Sequence, residues 1–258
     1  HVRFYVGNAK QAAFFYAHCF GFTIEQVADL TTGSRDAAHY LLTQGNIRFI
    51  LTTGLTADHP ANMEVSMFGD GVKDVAFTVF DAEKAWEKAC RNGATSVQEP
   101  RTQKDDRGTV TTATIRTFGR VVHTFVSRTG EYELTKVKQG GVFGPRFKKL
   151  EGMGGSVLAV NEYNKKNPCG LKYTDHLVGN VEYGKMNHWV KFYEDVMEFK
   201  MFKHFDDKDI STEYSALMSK VMSSGQGLIK IPINEPAPGK RKSQVEEYLD
   251  WHCNTPGV

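Results

Sequence analysis

Apolar and polar positions along the chain repeat one grammar three times: a short apolar strand, a helix striped at the 3.6-residue period, then further strands. Val2 to Val6 reads as a buried strand, and Asn8 caps a helix with Ala12, Phe15, Tyr16, Cys19 and Phe20 as its expected inner stripe. Gly21 stops that helix. Strands are expected at Phe22 to Ala28, Ala37 to Thr43 and Ile47 to Thr53, the last two joined by a Gln44-Gly45-Asn46 turn. This is a βαβββ unit.

The pattern restarts after Gly69-Asp70-Gly71, with a strand at Val72 to Val79 and a helix capped by Asp81 that carries Ala82, Ala85, Trp86, Ala89 and Cys90 on one side. Strands near Ser96, at Thr109 to Thr117 and at Val121 to Ser127 complete the second unit, with Phe118-Gly119-Arg120 as a hairpin turn. From Thr129 to Lys172 the periodicity fades and Gly, Lys, Asn and Pro dominate, which predicts a linker. The third unit opens at Asp175-His176 with a strand to Val181. A helix carrying Trp189, Phe192, Tyr193, Val196 and Met197 follows, then strands at Phe199 to Phe205, Thr212 to Val221 and Leu228 to Ile233.

The five-point stripe in each helix argues for internal duplication. Matching Val6-Gly7-Asn8 to Val178-Gly179-Asn180 sets Phe4 against His176, so a polar inward group stands in unit three where unit one has an apolar one. Pro256-Gly257-Val258 resembles Asp70-Gly71-Val72, the threshold of unit two. Two such units make one cupped sheet, so the natural protein is expected to continue past Val258. The reading is an α+β chain of tandem βαβββ modules in two domains, the second incomplete. Their expected bounds are 1–128 for an N-terminal domain without metal, 129–172 for the linker, and 173–258 for the first half of a catalytic domain.

Composition narrows the function classes. Over 258 residues, 32 Lys and Arg nearly balance 30 Asp and Glu, so no overall field marks a nucleic-acid or membrane-surface protein, and a small-molecule site is the default. The four cysteines form no C-x-x-C pair and follow no apolar leader, which reads as reduced thiols in a cytoplasmic protein. No apolar run reaches the length of a transmembrane helix.

The chemistry centres on His176, at the head of the third unit's first strand, where an inward imidazole can ligate a metal. By themselves, Asn234 before Glu235-Pro236 reads as a turn residue and Gln244 as part of a solvated helix face. His204-Phe205-Asp206 has the H-x-D spacing of 2-oxoglutarate oxygenases, though a solvated turn explains it as well.

Several longer motifs carry a family resemblance. Val6-Gly7-Asn8-Ala9-Lys10-Gln11-Ala12, Gly69-Asp70-Gly71-Val72-Lys73-Asp74, Asp175-His176 with Val178-Gly179-Asn180, Thr212-Glu213-Tyr214-Ser215, and Ile231-Pro232-Ile233-Asn234-Glu235-Pro236-Ala237 with Lys242-Ser243-Gln244 resemble the 4-hydroxyphenylpyruvate dioxygenase family. The resemblance covers nearly all of the chain but the linker, and it implies the vicinal oxygen chelate (glyoxalase-like) fold. It further implies an Fe(II) oxygenase acting on 4-hydroxyphenylpyruvate and O₂ to give homogentisate and CO₂, in tyrosine catabolism. His176 matches one metal ligand, and the family's other two ligands are expected beyond Val258. Ser219, Asn234 and Gln244 match positions that line the substrate pocket, Asn234 and Gln244 with a catalytic part. A homodimer or homotetramer is implied too. Hydroxymandelate synthase, of the same family, and a metal-free binding module of the same fold are the alternatives. His123, in the N-terminal domain, is expected to be dispensable for iron.

Overall fold

The computed structural model describes residues 1–150, 155–205, 216–239 and 241–258. Along the first half run β1 (Val2–Tyr5), α1 (Ala9–Phe20), β2 (Thr23–Ala28), β3 (Ala37–Gln44), β4 (Ile47–Gly54), α2 (Pro60–Phe68), β5 (Gly71–Val75) and β6 (Phe77–Thr78). There follow α3 (Ala82–Arg91), β7 (Ser96–Asp105), β8 (Gly108–Arg116), β9 (Val122–Arg128), α4 (Leu134–Lys138), β10 (Lys148–Lys149) and α5 (Gly155–Lys166). The rest comprises β11 (Gly179–Asn180), α6 (Met186–Asp195), β12 (Lys200–Phe205), β13 (Ala216–Ser224), a short turn α7 (Gly225–Leu228), β14 (Ile229–Ala237) and α8 (Gln244–Trp251). Two compact units result: His1–Ala85, Gln98–Thr114 and His123–Tyr173 form the first, and Trp86–Val97, Ile115–Val122 and Thr174–Val258 the second.

The larger sheet has the order β10-β2-β3-β4-β1-β5-β9-β8-β7, with β6 beside β9. Strand β1 runs parallel to β4 and antiparallel to β5, so it stands in the middle of the sheet although it comes first in the chain. The two sides of the first unit's sheet have different covers. Tyr40, Leu42 and Leu51 pack with helices α1 and α5 through Ala13, Ala17 and Val160. Leu41 and Ile50, on the other side by strand alternation, pack with Val137 and Phe143.

Helix α1 begins as expected, because the Asn8 side chain accepts from the backbone N–H groups of Lys10 and Gln11 at 3.1 and 3.0 Å. Its inner side differs from the expected stripe. Ala9, Ala13 and Ala17 are the buried positions, whereas Phe15, Cys19 and Phe20 are exposed. Small side chains let the helix axis approach the sheet, and Tyr16 alone of the stripe's aromatics reaches round to Phe4, Phe22 and Phe49.

The stretch expected to be a linker is built structure. Residues near Gly141 to Phe143 bind Gln26, whose amide donates to the Gly141 carbonyl at 2.9 Å and accepts from the Phe143 N–H at 2.8 Å. Asn161 and Asn164 of α5 hold the backbone of Ile24, Ala17 and Phe22. At Gly45, with φ +57°, a Cβ would meet the Lys172 carbonyl at 2.5 Å, and Asn46 donates to that carbonyl at 2.6 Å. Amide side chains and glycines, not apolar periodicity, hold this segment, so the hydrophobic pattern does not reveal it.

The second unit's sheet has the order β11-β14-β13-β12, again with its first strand parallel to its last. That repeats β1-β4-β3-β2 of the first unit. Its first strand is shorter than expected, with only Gly179 and Asn180 in regular pairing, although bonds from Leu177 N to Lys230 O at 3.2 Å and from Val181 N to Asn234 O at 2.8 Å extend the same ladder. Gly119, with φ +57°, closes the expected hairpin turn, and a Cβ there would run into the Pro256 carbonyl.

One buried histidine, His123, and one partly buried, His39, make the first unit acid-sensitive. Burial holds His39 down to about 3 and His123 down to about 4, while each returns to about 6.5 on unfolding. The unfolded chain therefore takes up protons first, so stability is full above pH 6.5 and is lost as the pH falls toward 4. At pH 5 each histidine costs up to about 2 kcal/mol. Denaturant titrations at pH 7.5 and 5 are expected to show this loss, with a shallower pH slope in His39→Asn.

Candidate functional site

The first and last strands of the second unit make the site. In their parallel register Gly179 stands beside Ile233 and Asn180 beside Asn234, and in the antiparallel pair β13–β14 Ser219 stands opposite Asn234. Alternation from Asn180 puts His176 on the same side, because the Leu177 N–H bond to Lys230 keeps the register that far. The opposite side carries Ile231, Ile233, Met222 and Glu235, all buried. The Glu235 carboxylate accepts from the Met186 N–H at 2.9 Å, tying the first turn of α6 to β14.

His176 is half exposed, and its Nδ1 lies 2.8 Å from Asp175 Oδ2. Lys230 Nζ donates to the other Asp175 oxygen at 2.7 Å. The lysine and the imidazole hold the Asp175 carboxyl below the usual carboxylate range. An Nδ1–H held this way leaves Nε2 as the basic nitrogen, as in carboxylate–histidine–metal arrangements. Asp175 and Lys230 were not singled out in the sequence, although the Asp-His dipeptide is the signal that could have found Asp175.

Ser219 is buried, and Asn234 has a buried Oδ1 with no hydrogen-bond partner. An orphan acceptor of this kind costs free energy unless a donor arrives. Asn234 is not a turn residue: it lies inside β14. Gln244 is not brought against this pair. It is the first residue of α8 and exposed, while Val245 and Leu249 are the buried residues of that helix. Asn180 is the addition that the sequence reading missed, since it stands beside Asn234 instead of capping a helix; α6 starts only at Met186.

The structure also corrects the register between units. Val6 N donates to Thr52 O at 3.0 Å as Val181 N donates to Asn234 O, and Tyr5 pairs with Thr52 as Asn180 pairs with Asn234. Val181 is thus the counterpart of Val6, and His176 that of His1, not Phe4. Phe4 faces the helix side, against Tyr16 and Phe49. The match of Gly257 to Gly71 does hold, because Asn180 bridges Gly257 antiparallel as Tyr5 pairs with Gly71.

A family model, "Glyoxalase/Bleomycin resistance protein/Dioxygenase superfamily", matches residues 1–117 and 174–253. The chain belongs to that superfamily. The paired βαβββ fold expected from the repeats is the one found. Among its relatives, 4-hydroxyphenylpyruvate dioxygenase from Yarrowia lipolytica is 40% identical over 269 residues, covering 100% of this chain and 63% of that protein. The enzyme of the same name from Dictyostelium discoideum is 42% identical over 260 residues (100% and 67%), and that from Danio rerio 40% over 263 (100% and 62%). The chain thus spans slightly under two thirds of the length of most such relatives. A triple variant of 4-hydroxymandelate synthase from Streptomyces coelicolor superposes with a TM-score of 0.80 at 22% identity, over 100% of this chain and 68% of that one, which shows the shared fold.

The described residues do not make a complete metal site. Among the described residues no group of three His, Cys, Asp or Glu is placed to hold an ion, and one imidazole is too little for stable Fe(II). His123 lies elsewhere, buried in the first unit with Nδ1 3.0 Å from the Val75 carbonyl. Asp206 and the Thr212 to Ser215 motif lie outside the described residues. The parallel pairs β1–β4 and β11–β14 exclude the antiparallel jelly roll that the H-x-D alternative requires.

Glu235→Ala is expected to leave the Met186 N–H buried without an acceptor and to cost the second unit about 1–3 kcal/mol. A denaturation midpoint unchanged from the parent would remove Glu235 as the anchor of α6.

Proposed function

We propose that the intact protein is a 4-hydroxyphenylpyruvate dioxygenase that forms homogentisate and CO₂ with Fe(II). The observation that carries this reading is the roughly 40% identity, along the whole of this chain, to relatives of that name. The geometry supports it. Asn234, Ser219 and His176 share one side of a sheet, and the phenolic hydroxyl is the hydrogen-bond donor that the keto form of the substrate offers to the orphan Asn234 Oδ1. Ser219, opposite Asn234, adds a hydroxyl beside the same point. These uncharged groups orient the substrate without titrating near neutral pH.

His176 is assigned as one iron ligand through Nε2, with Asp175 fixing the tautomer. The Asn180–Gly257 bridge is antiparallel, so a strand continued from it would run back along Leu177 and His176. The position three residues after Gly257, where the resemblance expects a second histidine, is the counterpart of Asp74, which is three residues after Gly71. Iron supplies the oxygen chemistry once its ligand set is complete, while this chain binds and orients the keto acid. A cytoplasmic homodimer or homotetramer goes with the same proposal.

Oxygen uptake by the intact protein with 4-hydroxyphenylpyruvate and ferrous iron, with product separation, tests the reading. Homogentisate is expected; hydroxymandelate as the product would favour the synthase instead. His176→Ala is expected to lose iron and turnover together. Asn234→Ala is expected to keep its iron and lose kcat/KM by an amount equivalent to about 1–3 kcal/mol. Residues 1–258 by themselves are expected to retain less than one equivalent of iron and to show no uptake, and measurable uptake would refute the assigned ligand set.

A further inference from the structure

A two-residue ladder is a weak hold for a strand that carries a site. Strand β11 pairs regularly with β14 only at Gly179 and Asn180, so its place depends on what else grips it. One grip is the Asn180–Gly257 bridge, in which each N–H donates to the other's carbonyl, at 2.8 and 3.1 Å. Another is Phe118, fully buried and edge-on to Trp189 of α6, whose ring a Cβ at Gly179 would meet at 2.6 Å.

Gly257 reaches Asn180 through a turn that does not hold itself. Cys253 and Asn254 both have left-handed backbone, with φ +53° and +54°, which side chains enter at a cost and keep only where the surroundings impose it. His252, which is buried, supplies that constraint. Its Nδ1 lies 2.6 Å from the Thr255 carbonyl and its Nε2 3.3 Å from Nη2 of Arg120. A carbonyl only accepts and a guanidinium only donates, so the imidazole is neutral with its proton on Nδ1. Burial holds the ring below the usual histidine range against the opposing effect of the Thr255 bond, and the Arg120 charge acts in the same direction as burial. The residue before Arg120 meets the same turn, since a Cβ at Gly119 would run into the Pro256 carbonyl, and one at Gly257 into the Tyr248 hydroxyl and the His252 ring.

We propose that Arg120 is a positioning residue of the candidate site: through His252 it fixes the turn at 253–255, and with it the Gly257 edge that keeps Asn180 beside Asn234. The hairpin turn Phe118-Gly119-Arg120 of the second module is then part of the third module's site. Its effect on the substrate rests on the dioxygenase reading, whereas the brace rests on the contacts alone.

Hydrogen exchange on the 258-residue chain tests the brace. In Arg120→Met the amides of Asn180 and Gly257 are expected to exchange at least about tenfold faster, while those of the β13–β14 ladder keep the parent's rate, which separates a loosened edge from a loss of overall stability. His252→Phe, which keeps a ring and loses both bonds, is expected to give the same rise, and the double variant no more than either, because the two residues act in series. Arg120→Lys, which keeps a charged donor, is expected to restore most of the protection, and Arg116→Met, at the exposed end of β8, to behave as the parent. In the intact protein with ferrous iron, Arg120→Met is expected to raise KM for 4-hydroxyphenylpyruvate about tenfold with kcat within about twofold of the parent, and to add nothing in the Asn234→Ala background. Parent-like exchange at Asn180 and Gly257 in both single variants, or a rise spread equally over β13 and β14, would overturn the brace; loosened amides with an unchanged KM would overturn its reach to the substrate. A protein that makes no homogentisate fails the dioxygenase reading instead, and the exchange result still decides the brace.

Discussion

The parallel pairing of the first strand of a module with its fourth is the constraint on which the rest depends. A parallel ladder cannot be closed by a tight turn, so the intervening helix and two strands must be laid down before the first strand finds its partner. Once it does, alternation decides every facing. In the first unit it sends Val6 and Phe4 toward α1 and Arg3 away from it; in the second it gathers His176, Asn180 and Asn234 on one side. A slip of one residue would turn each of these to the wrong side.

The fold was legible in the sequence where apolar periodicity carries it. The Asn8 cap, the hairpin turns at Gly45 and Gly119 and the order of helices and strands in the units appear where the pattern put them, although the third unit's first strand pairs regularly only at Gly179–Asn180. Two things escaped. The inner side of α1 is made of alanines, which a hydrophobic stripe ranks below phenylalanine although close approach to a sheet favours them. The segment after Thr129 is held by amide hydrogen bonds from Gln26, Asn161 and Asn164, and single polar side chains leave no period to read.

The candidate site was legible residue by residue more than as an arrangement. Ser219 and Asn234 stand opposite each other across a ladder, whereas Gln244 is exposed in the first turn of α8. The match of His176 to Phe4 failed because it followed a three-residue identity, Val-Gly-Asn, that serves different ends: Asn8 caps a helix and Asn180 sits in a strand. Backbone bonds, which have no sequence signature, set the true correspondence with His1.

The cover over the first unit's cup has a consequence for the order in which the chain becomes ordered. Gln26 is bound by residues 115 and 117 positions away, at Gly141 and Phe143. During synthesis the first sheet can pair most of its strands, yet its arginine-bearing side stays open to water until the segment through Phe147 has left the ribosome. Closure of such a long loop comes late because its entropy must be met before its contacts form. The passage between the two units is thereby also the last piece of the first one, and a ribosome stalled shortly before it would release a unit with complete strands and a wet interior.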